Sequence, residues 1–353
     1  FSLPAATPII FNLCIIFSAF TLAPLFSIPI IGLAWGVLLA GIIQLLIQLA
    51  PLSQIDRLPI PKIGLQNEGV KKVFILMLPA IIAGGVAQIN LLIDTVFASL
   101  LITGSPTWLY VSDRLIQFPL GIFAIAIGTV LLPSLSSANQ RGDLTLYKEH
   151  LRKSQRLVIF LAIPSVIGLA LCSEHLISTL FQRGEFFYTD VTQASKSLIA
   201  FSFGLPFFMM MKVLVPAFFS RKDTKTPMYA ALAALALNII LNYYFAFTLG
   251  YGHIGLAFAS SISALLSTGI LYTILVKGNY IQLTSPLNRF NLAVILGSIS
   301  VILFLIYGPF NINFNSLSFI DRLITLSLEV AISILLYLLI TRAIFGKKLK
   351  ELF

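Results

Sequence analysis

The chain has 353 residues, of which 58% are hydrophobic and only 10% are charged, and its formal net charge is +10. This composition, which includes 29 phenylalanines, lies far outside the range of soluble globular domains. It excludes a soluble protein and indicates one that is embedded in a membrane.

Apolar runs of about 20 residues, the length that crosses the hydrocarbon core of a bilayer as a helix, recur along the whole chain. The loops between them are too short to bury a core of their own. We therefore expect an all-α polytopic membrane protein with one transmembrane domain over residues 1–353. In chain order the ten predicted helices cover residues 8–28, 29–50, 73–102, 108–136, 157–181, 197–220, 228–250, 253–276, 291–310 and 322–345.

The distribution of Lys and Arg predicts the orientation, because these residues resist translocation and collect in cytoplasmic loops. Most of the 23 basic residues follow the second, fourth, sixth and eighth predicted helices or close the chain, whereas Arg183, Lys196 and Arg322 lie on the other side. Both termini are therefore expected in the cytoplasm. This distribution, with attraction to anionic lipid headgroups, explains the net charge without a nucleic-acid partner.

Sequence motifs of catalysis are missing. The chain contains no GxxxxGK[ST], HExxH or GxSxG pattern, and its 13 acidic residues form no paired-carboxylate cluster. Cys14 and Cys172 lie in apolar segments without CxxC spacing, which is typical of small core residues. We expect a protein that is not an enzyme.

Five ionisable residues lie inside predicted helices, where burial of a charge costs about 2.5–3.5 kcal/mol, so each is a candidate for function. Glu329 lies about two turns from the start of its helix, and we expect it to be solvated at the membrane interface. For Lys212 two interpretations stay open, a side chain that reaches the cytoplasmic interface and one that lines a cavity. The other three are Asp94, Asp113 and Arg114.

Asp113 and Arg114 are neighbours, so on a helix they point to different faces and do not simply neutralise each other. Arg114 instead shares an arc of about 80° with a stripe of polar and small residues. Arg114 could reach an interface marked by Trp108 and Tyr110. Alternatively the stripe lines a cavity, in which a guanidinium binds an anionic group such as phosphate in bidentate fashion. The other members of the stripe are Gln117, Gly121, Ala124 and Gly128.

Oxygen-bearing side chains recur at helical spacing around Asp94. Asn90 lies one turn before it, Asn238 and Asn242 are one turn apart, and Ser260, Ser263 and Ser267 share a face of their helix. One carboxylate with such neighbours could form a small site for a hard cation. The spacing alone favours the alternative, which is hydrogen bonding between helices with Asp94 protonated.

Three separated motifs resemble the MurJ/MviN family of lipid II flippases, which belongs to the MOP exporter superfamily. They are WLYVSDRLIQFPLGIFAIAIGTVLLPSLS (108–136), LFQRGEF (180–186) and VLVPAFFSRKDTKTP (213–227). The opening PAATPIIFNL and the order of all ten segments agree with it, so the resemblance covers the whole chain. Members of the family have fourteen transmembrane helices. This chain resembles the last ten, and we expect the first four to be absent.

The resemblance implies a MOP/MATE-like architecture with two lobes around a cationic cavity that opens alternately to either face of the membrane. Residues 1–136 would form the remainder of the N-terminal lobe and the start of the C-terminal lobe. Residues 137–276 would form the core of the C-terminal lobe. The last two helices, within 277–353, resemble the pair that forms a groove for a polyprenyl tail.

The resemblance also implies two sets of site residues. Arg114, Asp113 and Lys212 match charged positions of the cavity that binds substrate, and Gln117 stands where some members carry an acid. Some members bind sodium, and the positions that match their ligands are Asp94, Asn238, Asn242 and, more loosely, Ser260. No other cofactor is expected.

The implied function is to flip lipid II from the inner to the outer leaflet of the bacterial cytoplasmic membrane. The implied partners are the undecaprenyl-linked substrate, membrane lipids and other proteins of cell-wall synthesis. Three alternatives stay open: an exporter of drugs or lipid-linked oligosaccharides from the same superfamily, a polyprenyl-phosphate transferase, and a membrane scaffold that transports nothing. The transferase would need a cluster of metal-binding acids, which the sequence does not show.

Overall fold

The computed structural model describes residues 2–54, 68, 85–86, 88–281, 288–309, 312 and 314–346, and every regular element within these ranges is a helix. The prediction of an all-α protein is confirmed. The helices form two compact units, Phe1–Lys72 and Val73–Phe353. The predicted divisions after residues 136 and 276 both lie inside the second unit.

The first unit contains helices α1 (Ser2–Thr21) and α2 (Pro29–Gln54), which pack against each other. The close approach depends on Gly36, because a Cβ atom at this position would collide with the side chain of Ser18. The Gln44 amide also donates a hydrogen bond to the carbonyl of Thr7 at 2.8 Å. A small residue and one polar contact therefore hold the pair together, as is common between helices in lipid.

The second unit contains eleven further helices in its described part. Two short π-helical turns, Leu120–Ala124 and Tyr244–Thr248, follow α4 and α10 without a break. The helices are α3 (88–99), α4 (Ser105–Pro119), α5 (Ile125–Gln140), α6 (Leu144–Leu171), α7 (Ser173–Phe181), α8 (Tyr188–Ser202), α9 (Leu205–Phe219), α10 (Lys225–Tyr243), α11 (Gly252–Lys277), α12 (Arg289–Tyr307) and α13 (Phe319–Phe345).

Eight of the described helical stretches are long and apolar enough to cross a membrane, and a ninth is added if the bent pair α8 and α9 forms one span. These nine correspond to nine of the ten predicted helices. The remaining predicted helix is the third in chain order, over residues 73–102. It begins outside the described residues, and its second half is α3. The prediction of a protein with many membrane spans is confirmed.

The predicted bounds of the fifth helix are wrong. Residues 157–181 were expected to form one span, but α6 begins at Leu144 and ends at Leu171, and α7 follows as a separate helix. Asp143 caps the start of α6 by accepting a hydrogen bond from the backbone of Leu146. The first turns then bury Tyr147, whose hydroxyl donates to the Ala217 carbonyl at 2.6 Å. Tertiary packing therefore extends the helix beyond its apolar run.

The predicted helix 197–220 is interrupted between α8 and α9, whose axes differ by 43°. Pro206 lies in the first turn of α9, where its missing N–H costs no intrahelical bond. Gly204 lies at the junction, and a Cβ atom there would meet the backbone of Ser261 in α11. The bend thus brings this corner of the chain into close contact with α11.

The last two helices form a hairpin that packs mainly on α6 and α7. Hydrophobic burial gives little driving force between helices in lipid, because the acyl chains are as apolar as the side chains they replace. Close packing and polar contacts therefore attach α13. Tyr337 donates a hydrogen bond to the Phe160 carbonyl at 2.7 Å, and Arg322 donates to the Gln182 side chain at 2.8 Å.

Glu329 supplies the third polar contact of α13, and here the prediction of interfacial solvation is wrong. The residue is only 2% exposed, and its carboxylate lies 2.9 Å from Nδ1 of His175 in α7. The ring of Phe314 stacks on the imidazole with centroids 3.9 Å apart, and the thiol of Cys172 lies beside the carboxylate. The apolar surroundings leave this pair well shielded from solvent.

Breaking the pair on one side should destabilise the protein more than removing both partners. A single Glu329→Leu or His175→Leu substitution leaves the other group without its hydrogen-bond partner, at a cost of roughly 1–3 kcal/mol. The double variant replaces the pair by apolar packing, so its melting temperature in detergent should lie above that of either single variant. Glu149→Gln is the control, because its pair with Lys153 is exposed. A loss of stability in the double variant that equals the sum of the two single losses would contradict a coupled pair.

Candidate functional site

A cavity of about 1110 Å³ lies within the second unit, between α3, α4, α5, α9, α10 and α11. Its walls are largely apolar, and the charged residues among the described lining side chains are Asp94, Asp113 and Lys212. A pocket of this size with a few convergent polar groups is typical of a ligand-binding site. Its uncharged polar lining residues include Gln88, Asn90, Thr95, Gln117, Thr129, Ser260, Ser263 and Ser267.

Two hydrogen bonds to α8 set the rotation of α4 about its own axis. The indole Nε1 of Trp108 donates to Oδ1 of Asp190 at 2.8 Å, and the hydroxyl of Ser112 contacts the Ala194 carbonyl at 2.7 Å. Both donors lie on the buried face of α4, since Trp108 is 7% exposed and Ser112 is fully buried. The opposite side of the helix, with Asp113, consequently faces the cavity.

The cavity-facing stripe differs from the predicted one. Arg114 and Gly121 are not among the lining residues, whereas Asp113 and Leu120 are, together with the predicted Gln117, Ala124 and Gly128. The π-helical turn over Leu120–Ala124 explains the shift, because it rotates the preceding part of the helix away from the uniform 100° per residue that the wheel assumes. Asp113 therefore lines the cavity, whereas its neighbour Arg114 lies on the exposed side of the helix.

Arg114 has an exposed side chain whose guanidinium lies over the ring of Tyr110, 4.7 Å from its centroid. Tyr110 itself lines the cavity. Sequence reasoning treated Tyr110 only as an interfacial aromatic, although its spacing of one turn from Arg114 is the signal of this cation–π contact. The burial of Trp108 removes one of the two interfacial markers that supported an anchoring role for Arg114.

Asp113 and Lys212 line the cavity at different levels. Asp113 accepts a hydrogen bond from the Gln117 amide at a long 3.4 Å, in the middle of α4. Lys212 lies level with Gly128, since a Cβ atom at this glycine would be 3.0 Å from the Lys212 carbonyl. Of the two interpretations that the sequence left open for Lys212, the structure shows a side chain that lines the cavity.

The residues around Asp94 come together as one hydrogen-bonded cluster. The carboxylate accepts from Asn242 at 2.6 Å, from Ser260 at 3.1 Å and from Asn90 at 3.3 Å. Asn242 also donates to the Asn238 amide oxygen at 2.9 Å, and Asn238 donates to Ser260 at 3.2 Å. Three helices, α3, α10 and α11, thus bring together the residues that the sequence grouped by spacing.

The cluster has a donor set that fits a small monovalent cation. It offers one carboxylate with amide and hydroxyl oxygens, and in the described residues no group of three or more acids, histidines or cysteines could bind a divalent metal. Oδ1 of Asn242 is buried and has no hydrogen-bond partner. Nδ2 of Asn242 faces Asp94, so the amide would have to turn to offer this unbonded oxygen to a cation at the carboxylate. Asp94, Asn238, Asn242 and Ser260 would hold the ion and neutralise its charge.

The sequence profile of the family described as "Lipid II flippase MurJ" matches residues 1–336 of the chain. The chain belongs to the MurJ family. With its apolar helices, this makes it a multi-pass inner-membrane protein.

Individual MurJ proteins agree with this assignment. The "Probable lipid II flippase MurJ" of Vibrio cholerae serotype O1 is 44% identical over 82% of this chain and 54% of its own length. The "Lipid II flippase MurJ" of Burkholderia cenocepacia is 36% identical over 77% of this chain and 53% of its own length. The chain therefore spans little more than half the length of these relatives.

Solved structures give the same fold. The structure titled "Lipid II flippase MurJ, inward closed conformation" has a TM-score of 0.75 and 28% identity, and it covers 98% of this chain and 68% of its own. A MATE transporter in the bent conformation reaches a TM-score of 0.50 at 18% identity, over 79% of this chain and 64% of its own, which is a likeness of fold alone.

Sodium should stabilise the purified protein against heat if the Asp94 cluster binds it, because a ligand of the folded state shifts unfolding by mass action. The melting temperature in detergent should rise in sodium chloride relative to choline chloride at equal ionic strength. Asp94→Ala should remove this difference. Ser99→Ala is the control, because it lies on the same helix and donates only to the Val96 carbonyl. Equal melting temperatures in both salts would leave hydrogen bonding between helices as the role of the cluster.

Proposed function

We propose that the chain moves lipid II from the inner to the outer leaflet of the membrane by alternating access, as part of a MurJ flippase. The observation that carries this proposal is the cavity of the second unit, whose largely apolar wall carries the charged side chains of Asp94, Asp113 and Lys212, in a chain that belongs to the MurJ family. A lipid-linked substrate has a charged pyrophosphate that cannot cross the hydrocarbon core unaided. A cavity lined by charged side chains offers it a polar route. No chemical change of the substrate is needed, so the proposed protein is a transporter and not an enzyme.

Four residues are proposed to handle the charged headgroup: Arg114, Asp113, Lys212 and Gln117. Arg114 is exposed and offers its guanidinium next to the cavity wall at Tyr110, where it can bind pyrophosphate oxygens in bidentate fashion. Lys212 offers a point charge inside the cavity, with its backbone level with Gly128. The two cations would contact the anion at different positions along α4 and α5. Asp113 and Gln117 line the same cavity.

The proposal includes the orientation and the partners. We propose that both termini lie in the cytoplasm, with the turns before α4 and α8 outside, since the basic residues gather on the other side. Membrane lipids surround the apolar helices, which leave many large hydrophobic side chains exposed. Other proteins of cell-wall synthesis are proposed partners, and sodium is the proposed bound ion.

An arginine that binds pyrophosphate through its planar fork should not be replaceable by lysine, whereas an arginine that only anchors the helix should be. Arg114→Lys and Arg114→Ala, made in the complete coding sequence, should both fail to support growth of cells depleted of their own flippase. Arg183→Lys is the control, because its guanidinium is exposed and bonds only to the Leu180 carbonyl. Membrane levels of all variants are measured by immunoblot. Full growth with Arg114→Lys and with Arg114→Ala would place substrate binding elsewhere.

The proposed orientation is tested by cysteine labelling after Cys14 and Cys172 are replaced by alanine. Cysteines at the exposed positions Thr103 and Glu185 should react with a membrane-impermeant thiol reagent in intact cells. A cysteine at the exposed Gln140, in the turn after α5, should react only after the cells are opened. The reverse pattern would invert the topology.

A further inference from the structure

Among the described residues, two carboxylates line the cavity, those of Asp94 and Asp113. No described basic side chain forms an ion pair with Asp94 or Asp113, and Arg114 is turned away to Tyr110. Lys212 is level with Gly128, which follows Asp113 by fifteen residues, or about 22 Å of helix. The end of the cavity that holds Asp113 and Asp94 is therefore acidic, although the whole chain is strongly basic.

Asp113 also differs from Asp94 in its bonding. Asp94 accepts three side-chain hydrogen bonds, whereas Asp113 accepts one long bond from Gln117 and is only half-buried. Its carboxylate is thus less satisfied and more accessible from the cavity. Asp113 and Asp94 line the same cavity, and two negative charges that face one cavity repel each other. A cation between or beside them would relieve this repulsion.

We propose that Asp113 is a second cation-binding carboxylate, which attracts sodium into this end of the cavity and raises the affinity of the Asp94 cluster for the ion. The inference rests on the proposed cation site. Asp94 and its three neighbours hold the ion, while Asp113 supplies a negative charge at the approach to them. Gln117 would assist Asp113, because its amide can present its oxygen to a cation once the side chain has turned. Asp113 thereby sets the sodium concentration at which the cluster fills.

The experiment measures the sodium concentration that gives half of the maximal rise in melting temperature, with choline chloride keeping the ionic strength constant. Asp113→Asn keeps the shape of the side chain and removes its charge. It should raise this concentration about three- to tenfold, the effect of one unit charge acting across a partly hydrated cavity. Gln117→Glu adds a carboxylate one turn away and should lower the concentration by a similar factor.

Glu185→Gln is the matched control, because it removes one negative charge at an exposed turn outside the cavity. Its half-saturating concentration should stay within twofold of the unmodified protein. If Asp113→Asn also stays within twofold while Asp94→Ala abolishes the response, the role of Asp113 is wrong and the cation site stands. If the unmodified protein does not respond to sodium at all, the cation site itself fails, and the role of Asp113 fails with it. Growth of flippase-depleted cells tests the transport function separately.

Discussion

Two hydrogen bonds determine how α4 is turned, and the chemistry of the cavity depends on that turn. Trp108 and Ser112 bond to Asp190 and to the Ala194 carbonyl of α8. Rotation of α4 would break both contacts with α8, and the Ser112 hydroxyl would keep only the Trp108 carbonyl of its own helix, 2.7 Å away, as an acceptor. The rotation that they fix directs Asp113 and Gln117 inward and leaves Arg114 outside the cavity lining. If α4 were turned by one residue, Arg114 would replace Asp113 on the cavity wall.

The charged residues of the cavity are separated along its wall. Asp113 belongs to α4, whereas the backbone of Lys212 lies level with Gly128 in α5. Such a cavity presents carboxylates and an ammonium group to ligands at different levels. In the proposed function, Asp113 and Gln117 would meet both the headgroup and the cation, so the two ligands would influence each other there. The neutral amides and hydroxyls of α10 and α11 complete the acidic end and add no charge of their own.

The helices themselves were predictable, because a run of about 20 apolar residues is the sequence pattern of a membrane-spanning helix. The grouping of Asp94 with Asn238 and Asn242 was also predictable, since residues one turn apart share a helix face. The start of α6 was not, because it depends on the burial of Tyr147 against α9. These contacts join residues 70 positions apart in the sequence.

The functional details that sequence reasoning missed have similar physical causes. Glu329 looked like an interfacial acid because its partner, His175, is 154 positions away. The stripe of α4 was displaced because a helical wheel assumes one angle per residue, and the π-helical turn at Leu120 departs from it. The contact between Arg114 and Tyr110 was visible in the spacing, but it became informative only when the structure excluded Arg114 from the cavity lining.

Trp108 also gives the protein its own optical reporter. The chain has two tryptophans, and Trp35 is half exposed on α2, whereas Trp108 is buried against the ring of His253 with centroids 4.8 Å apart. The emission of a buried indole depends on its hydrogen bond and on its neighbours. Any turn of α4 that breaks the bond to Asp190 also moves the indole relative to this imidazole. In a Trp35→Phe background, the fluorescence of a single native residue would therefore follow the orientation of the helix that carries Asp113 and Arg114.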